Sequence, residues 1–175
     1  MKLHLAVSKD NLRPALKHIQ IKGGFIYATN CHILARIPVN EAFSELFTKE
    51  EELYILGDDW KKQGFSKCTD FKRNGNLLEA YDNKWNLQGI IKMKDKNEIG
   101  GNFPDCETVI PQEATLTESL DKISFNPSLL NDLCEVFGQS TNNFIYTFFG
   151  RTKTIKVNHK DMNSIGIIMP IAMND

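Results

Sequence analysis

One pattern of predicted elements occurs three times along the chain: a strand, a short helix, and then two or three further strands. The third copy is the clearest. There Asn126 and Pro127 are residue types that begin helices, an apolar stripe follows at helical spacing, and Gly138 ends it. The pattern therefore predicts repeated units that mix strands with short helices.

Turn signals separate the elements, among them Gly23-Gly24 and Asn74-Gly75, which favour hairpins. The first repeat is predicted as a strand, a helix and two strands over residues 3–7, 11–18, 25–29 and 33–39. The second is predicted as a strand, a helix and three strands over residues 53–56, 58–62, 68–73, 77–81 and 86–93. The third is predicted as a strand, the helix after Asn126 and three strands, the strands covering residues 122–125, 143–149, 152–158 and 165–171. A loop or a short helix is predicted at residues 40–52, and a loop is predicted at residues 94–102.

Composition limits the function classes. The 175 residues include 21 basic and 22 acidic side chains, so the net charge is −1. This balance argues against a strong independent nucleic-acid binder but allows a ring that surrounds DNA loosely. No run approaches the roughly 18 apolar residues that cross a bilayer, and the N-terminus has no apolar signal core. Four cysteines without a Cys-x-x-Cys pair indicate reduced thiols, so a cytoplasmic location is predicted.

Three short phrases carry the most specific signal. They are Ala28-Thr29-Asn30-Cys31-His32-Ile33-Leu34-Ala35, Phe103-Pro104-Asp105-Cys106-Glu107-Thr108-Val109-Ile110-Pro111 and Ile167-Ile168-Met169-Pro170-Ile171. Together and in this order they resemble the family of the bacterial DNA polymerase III beta subunit, the sliding clamp, in a shortened or divergent form. The resemblance implies an α+β DNA-clamp fold, with repeated β-α-β-β-β units, antiparallel sheets outside and short helices inside.

The resemblance also implies a division into domains, because each clamp domain consists of two such units. Residues 1–111, with two repeat units, would form one clamp-like domain. Residues 112–175, with the third repeat unit, would form half of a second one, and residues 111–115 would link them. An unpaired half-domain exposes a sheet edge and an apolar helix face. We therefore expect a homo-oligomer in which two copies pair through their third repeats.

If the three phrases lie near each other, they form an apolar groove at a domain junction, which is a favoured place for ligands. Met169 has the flexible side chain that peptide-accepting surfaces use, and Pro170 suits an edge strand. By resemblance, the peptide-binding positions are Thr29, Cys31, His32, Leu34, Pro104, Thr108, Val109, Ile168, Met169, Pro170 and Ile171. Their partner would be a linear peptide of a replication or repair protein, with leucine and phenylalanine anchors. The alternative is that these residues only seal the interface between two domains.

Three departures from the family pattern affect the same groove. The family usually has Asp-Gly where this chain has Asn30-Cys31, a basic residue where it has Ile33, and Arg where it has Ala172. Because a non-glycine residue at positive φ is uncommon, Cys31 is expected to deform the turn. Loss of the two basic residues predicts altered or weaker peptide specificity.

Contact with double-stranded DNA would come from the short helices, which line the channel in the family. The basic candidates are Lys9, Arg13, Lys17, Lys61 and Lys62. The third helix offers Asp132 and Glu135, which have the wrong sign for phosphate. The alternative is that the lysines form ordinary solvated helix faces. A few neutralised phosphates would give binding that weakens steeply as salt rises.

The sequence contains no convincing catalytic motif. His32, His159 and the cysteines lack zinc-ligand spacing, and neighbouring side chains such as Cys31 and His32 point apart on a strand. We expect no cofactor and no metal. The predicted function is a non-enzymatic clamp-like protein that binds replication or repair proteins and encircles DNA as a processivity factor. The alternatives are a stand-alone adaptor or decoy of phage or mobile-element type that does not encircle DNA, and a metal-dependent nuclease that uses Asp58-Asp59 and residues 50–52.

Overall fold

Ten strands and three short α-helices occur in the part of the chain that the computed structural model describes, residues 1–44, 46–111, 123–138 and 143–171. The strands are β1 (His18–Lys22), β2 (Phe25–Thr29), β3 (Ile33–Pro38), β4 (Glu52–Leu56), β5 (Asp70–Asn74), β6 (Leu77–Tyr81), β7 (Leu87–Lys92), β8 (Phe144–Phe148), β9 (Ile155–His159) and β10 (Ile165–Ile168). The helices are α1 (Val39–Phe43), α2 (Gly57–Lys62) and α3 (Pro127–Val136). Shorter 3₁₀ turns cover Leu3–Leu5, Pro14–Lys17, Phe65–Lys67, Lys96–Glu98 and Cys106–Val109. Among the described residues, no helix has both the length and the apolar character to span a bilayer.

The strands form two antiparallel sheets. The larger has seven strands in the order β4-β1-β2-β3-β10-β9-β8, and the smaller has the order β5-β6-β7. The mixture of antiparallel sheets and a few short helices confirms the predicted α+β class.

The third repeat joins the first through the pair β3–β10, in which Leu34 lies opposite Ile167. One continuous sheet thus crosses the predicted boundary at residues 111 and 112, and the boundary itself stays a prediction. The apolar face of α3 is also covered, because Leu133, Val136 and Phe137 are buried in one core with Leu3. The expected exposed helix face is therefore wrong, whereas among the described residues no strand pairs with the outer side of β8.

Local signals fixed the helices that were predicted correctly. The side chain of Asn126 accepts a hydrogen bond from Ser128 N (2.9 Å) and so caps α3, while Gly138 follows it with a φ of 69°. In α2 the acidic residues occupy the first turn and the lysines the last, as the helix dipole favours.

The strand predicted at residues 3–7 is wrong. The structure has a 3₁₀ turn over Leu3–Leu5, closed by a hydrogen bond from Ala6 N to Leu3 O (3.1 Å). Leu3 and Ala6 are fully buried, and a spacing of three residues puts them on one side of such a turn. The turn contacts both α2 and α3, and this packing overrides the alternating pattern that favoured a strand.

The helix predicted at residues 11–18 is also wrong in extent. Only Pro14–Lys17 is helical, as a 3₁₀ turn, and β1 begins directly after it. Since β1 pairs with both β2 and β4, its residues are held in two ladders. Leu12, expected on the apolar stripe of this helix, is instead 89% exposed.

Smaller differences occur in the second and third repeats. The β5–β6 hairpin turns at Gly75-Asn76, one residue later than predicted, with Gly75 at a φ of 57°. Residues 123–125 form no strand, although Ser124 O accepts a hydrogen bond from Ile171 N (2.7 Å). Lys122, residues 112–115 of the predicted linker, and Ala172 lie outside the described residues.

Candidate functional site

The three phrases of the sequence meet on one face of the larger sheet. Leu34 on β3, Ile167 on β10, and Cys106 and Ile110 of the second phrase, residues 103–111, form one buried cluster with Tyr27. The main core occupies the opposite face, because side chains alternate along each strand. The sheet therefore brings together residues that are more than a hundred positions apart in sequence.

The predicted peptide-binding residues divide into a buried floor and an exposed rim. Thr29, Leu34 and Ile168 are at most 7% exposed, and Ile168 belongs to the main core on the other face of the sheet. The remaining eight are exposed or half-buried: Cys31, His32, Pro104, Thr108, Val109, Met169, Pro170 and Ile171. A bound peptide could contact only this second group directly.

Met169 extends the β10 ladder by one residue. Its backbone N–H donates to His32 O (2.9 Å), so it lies beside the first phrase. Alternation from Ile167 places the Met169 side chain on the face of the Leu34 cluster. Met169, Val109 and Ile171 are 43%, 48% and 50% exposed, which makes them an apolar rim.

The turn before β3 is fixed by its own side chains. The Asn30 Oδ1 atom accepts hydrogen bonds from His32 N and Ile33 N (both 2.9 Å). Thr29 Oγ1 donates to Ile33 O (2.8 Å) and accepts from Cys31 N (3.2 Å). Cys31 has a φ of 72°, so it adopts the left-handed conformation, and the turn keeps its hydrogen bonds. Deformation of the turn relative to one that contains glycine stays a prediction.

A shallow cavity of about 330 Å³ lies beside this turn. Cys31 and Pro104 line it, and so does Leu12, which the sequence placed on a buried helix face. Arg13, predicted to contact DNA, also lies here, and its Nη1 donates to the Sγ of Cys31 (3.0 Å). No sequence signal distinguished Leu12 as exposed, because its spacing suited an amphipathic helix.

Three of the predicted DNA-binding lysines converge elsewhere. Lys9, Lys17 and Lys61 line a cavity of about 210 Å³ together with His4 and Asp58. The pKa of His4 is lowered, first by burial and then by the positive charges of Lys61, Lys2 and Lys9. Lys62 does not line this cavity.

Acidic residues partly balance this cationic cluster. Asp58 lines the same cavity. Lys2, which is not among the basic residues predicted to contact DNA, forms an ion pair with Glu135 on α3 (2.6 Å). The cluster is therefore positive but not strongly so, in keeping with the net charge of −1.

Two observations concern the metal-binding and cysteine-nucleophile alternatives. Within residues 1–44, 46–111, 123–138 and 143–171, no three His, Cys, Asp or Glu side chains are grouped to hold a metal ion. Burial raises the pKa of the Cys106 thiol to about 12 and also raises the pKa values of Cys68 and Cys134, which disfavours their thiolates.

Comparison with known proteins gives a result only at the level of structure. No family model matches the sequence, and no curated protein matches it. A DNA polymerase sliding clamp from Bacillus subtilis superposes with a TM-score of 0.65 at 14% identity, over 98% of this chain and 60% of the clamp. DNA polymerase III subunit beta from Borrelia burgdorferi, in complex with a natural product, gives a TM-score of 0.68 at 12% identity, over 99% of this chain and 61% of that one.

This chain has the sliding-clamp fold. The sliding clamp from Pseudomonas aeruginosa, solved with a ligand, agrees, with a TM-score of 0.64 at 14% identity over 98% of this chain and 64% of the clamp. The fold inferred from the three phrases is thereby confirmed. The chain spans less than two thirds of the length of these clamps.

Proposed function

We propose that this chain is a non-enzymatic, clamp-like protein that binds linear peptides of DNA replication and repair proteins. The observation that carries the proposal is the meeting of the three phrases around the Leu34–Ile167 pair. The buried cluster supplies a rigid floor, and Met169, Val109 and Ile171 supply exposed apolar side chains around it.

The groove favours an apolar peptide. Rigid floors with flexible rims suit peptide docking, and methionine adapts its shape to different side chains. Burial of leucine and phenylalanine anchors in the groove would stabilise the complex by about 25 cal/mol per Å² of apolar surface removed from water. Ile33 stands where the family has a basic residue and is itself buried, so it offers no charge to an acidic peptide group.

Fluorescence polarisation with a labelled peptide that carries these anchors tests the proposal. We expect saturable micromolar binding, and Met169→Asp should weaken it about tenfold or more, since a charge would replace a desolvated apolar contact. Ile90→Asp is the matched control, because Ile90 is 44% exposed on the smaller sheet. Absence of binding at high protein concentration, or equal loss in both variants, would mean that the phrases serve packing alone.

The broader clamp role belongs to the same proposal. The cationic cluster of Lys9, Lys17 and Lys61 supports contact with double-stranded DNA, and a homo-oligomer would be needed to surround it and act as a processivity factor. A cytoplasmic location, where such partners would be met, is likewise proposed.

The partly balanced charge around Lys9, Lys17 and Lys61 supports a second candidate, the stand-alone adaptor or decoy of phage or mobile-element type that engages clamp-binding peptides without encircling DNA. Retention on closed circular plasmid, with release when the plasmid is cut, would support the encircling protein. Peptide binding without such retention would support the adaptor.

A further inference from the structure

We propose that Glu107 positions one side of the peptide groove, because it fixes the turn that carries the rim residue Val109. The Glu107 carboxylate accepts hydrogen bonds from two side chains of the larger sheet, Tyr27 Oη (2.5 Å) and Arg36 Nε (2.7 Å). The inference rests on the proposed function, since it concerns the affinity of the same groove. Glu107 itself is not among the predicted peptide-binding residues.

The segment that carries Val109 lies against the larger sheet without pairing with a strand. In the described part of the chain, the only hydrogen bonds between residues 103–111 and this sheet are the two that Glu107 accepts. Apolar contacts supply further attachment, since Cys106 and Ile110 are buried in the cluster on the sheet. The polar attachment of the segment therefore depends on one carboxylate.

The two donors to Glu107 are held firmly by the sheet. Tyr27 on β2 lies opposite Arg36 on β3, and Arg36 also pairs with Ile165 on β10. The Arg36 Cζ atom lies 3.5 Å from the centre of the Phe25 ring, a cation–π contact that restricts the side chain further. Burial raises the pKa of the Tyr27 hydroxyl, and the hydrogen bond to Glu107 raises it further, so this hydroxyl stays protonated and donates. Because Tyr27 is buried, loss of its acceptor would be costly.

The turn also has hydrogen bonds of its own. The Asp105 carboxylate accepts from Glu107 N (3.2 Å), Thr108 Oγ1 donates to Asp105 O (2.7 Å), and Ile110 N donates to Glu107 O (3.3 Å). Without the Glu107 carboxylate the turn would still form, but it would no longer be fixed to the sheet and would open more often. Val109 lies between Glu107 and the buried Ile110, so such motion displaces exposed apolar surface of the rim.

The rim residue Met169 is held by a different element. Its N–H donates to His32 O (2.9 Å) and so continues the β10 ladder. Loss of the Glu107 hydrogen bonds should therefore disturb the Val109 side of the groove and leave the Met169 side in place. This difference separates a positioning role from a general loss of stability.

Peptide affinity tests the role of the Glu107 carboxylate. The Glu107 side chain is 49% exposed, so Glu107→Ala removes both hydrogen bonds and leaves the apolar cluster intact. We expect it to weaken binding of the labelled peptide about fivefold. Glu79→Ala is the matched control, because Glu79 accepts from Tyr81 Oη (2.5 Å) on the smaller sheet, and its affinity should equal that of the unmodified chain. Glu107→Gln keeps an oxygen that accepts from Tyr27 and Arg36, so it should retain most of the affinity.

A double-mutant cycle identifies the side chain through which Glu107 acts. In a Val109→Ala background, Glu107→Ala should cost little further affinity, since the side chain that the turn positions is gone. In a Met169→Ala background the same change should again cost about fivefold. Additive losses in both backgrounds would overturn the proposal, and so would a loss in Glu107→Gln as large as that in Glu107→Ala.

Amide hydrogen exchange in the absence of peptide gives a readout that does not depend on binding. The Ile110 N–H group, which donates to Glu107 O, should exchange faster in Glu107→Ala, whereas the amides of β6 should keep their rates. Unchanged exchange at Ile110 would refute the positioning role whatever the peptide result. A chain that binds no peptide but shows faster exchange in the variant would refute the proposed function alone, because Glu107 would still fix the turn.

Discussion

Cys31 holds a backbone conformation that glycine adopts at less cost. Its φ of 72° lies in the left-handed region, which costs a side chain with a Cβ about 1 kcal/mol. The hydrogen bonds of Asn30 and Thr29 fix the turn around it and offset that cost. The same turn positions the start of β3, so the geometry of the groove depends on this residue.

Substitution of Cys31 tests how much strain the turn contains. Cys31→Gly should raise the free energy of unfolding by up to about 1 kcal/mol, because the backbone strain disappears. Cys31→Val should lower it by about 1 kcal/mol or more, since a β-branched residue fits this region poorly. Urea denaturation of the three proteins measures both changes. If Cys31→Val had a higher free energy of unfolding than Cys31→Gly, the turn would have relaxed out of the left-handed region.

Which elements the sequence could predict depends on how local their signals are. The helix α3 has a cap and a terminating glycine, and the β5–β6 hairpin has a turn glycine, so each was predictable to within a residue or a few. The N-terminal turn Leu3–Leu5 has an alternating apolar pattern that also suits a strand. Only its packing against α2 and α3 selects the 3₁₀ turn over the strand. Likewise, convergence of the three phrases depends on β3–β10 pairing, which no local signal encodes.

A single glycine sets the distance between β10 and α3. A Cβ added at Gly166 would lie 2.4 Å from Leu133 Cδ2, and both residues are buried. Gly166→Ala should therefore lower the free energy of unfolding by about 1–3 kcal/mol through overpacking. Combined with Leu133→Ala it should cost less than the sum of the two single changes, because the cavity accepts the methyl group. Additive losses in thermal or urea unfolding would contradict direct packing between them.

One ion pair ties the two sheets together and makes stability depend on pH. Glu51, next to β4, accepts from Arg73 on β5 (2.8 Å), and this hydrogen bond holds the pKa of Glu51 at about 2 instead of 4.5. Since the pKa is lowered by folding, the stabilisation is complete above pH 4.5 and is lost as the pH falls toward 2.

The variant Glu51→Gln isolates that contribution. At neutral pH it should lower the free energy of unfolding by about 1 kcal/mol, the upper range for a partly exposed pair. The difference from the unmodified chain should shrink as the pH falls through this window. Urea denaturation at several pH values measures it, and a difference that stays constant with pH would exclude the Glu51 charge as its cause.

At the scale of the whole molecule, the third repeat completes the first rather than standing apart. Its strands extend the first repeat's sheet at β3, and α3 packs against the N-terminal 3₁₀ turn in the main core. The resulting layer of turn, α2 and α3 lies on one face of the sheet, and the proposed peptide groove lies on the other. The two proposed surfaces nevertheless adjoin, because Lys9 of the cationic cluster and His32 of the groove rim line the same cavity of about 420 Å³.

The cationic cluster predicts weak and strongly salt-dependent DNA binding. Three lysines that neutralise phosphates give a slope of about −2.7 when log affinity is plotted against log salt concentration. Lys61→Glu should weaken binding of a short duplex and make the slope shallower by about 1. Lys84→Glu, an exposed lysine in the β6–β7 loop, makes the same change in net charge away from the cluster. Fluorescence anisotropy across a salt series measures the DNA affinity and the salt slope of both variants. Equal losses of affinity in the two variants would assign the binding to overall charge instead of to the cationic cluster.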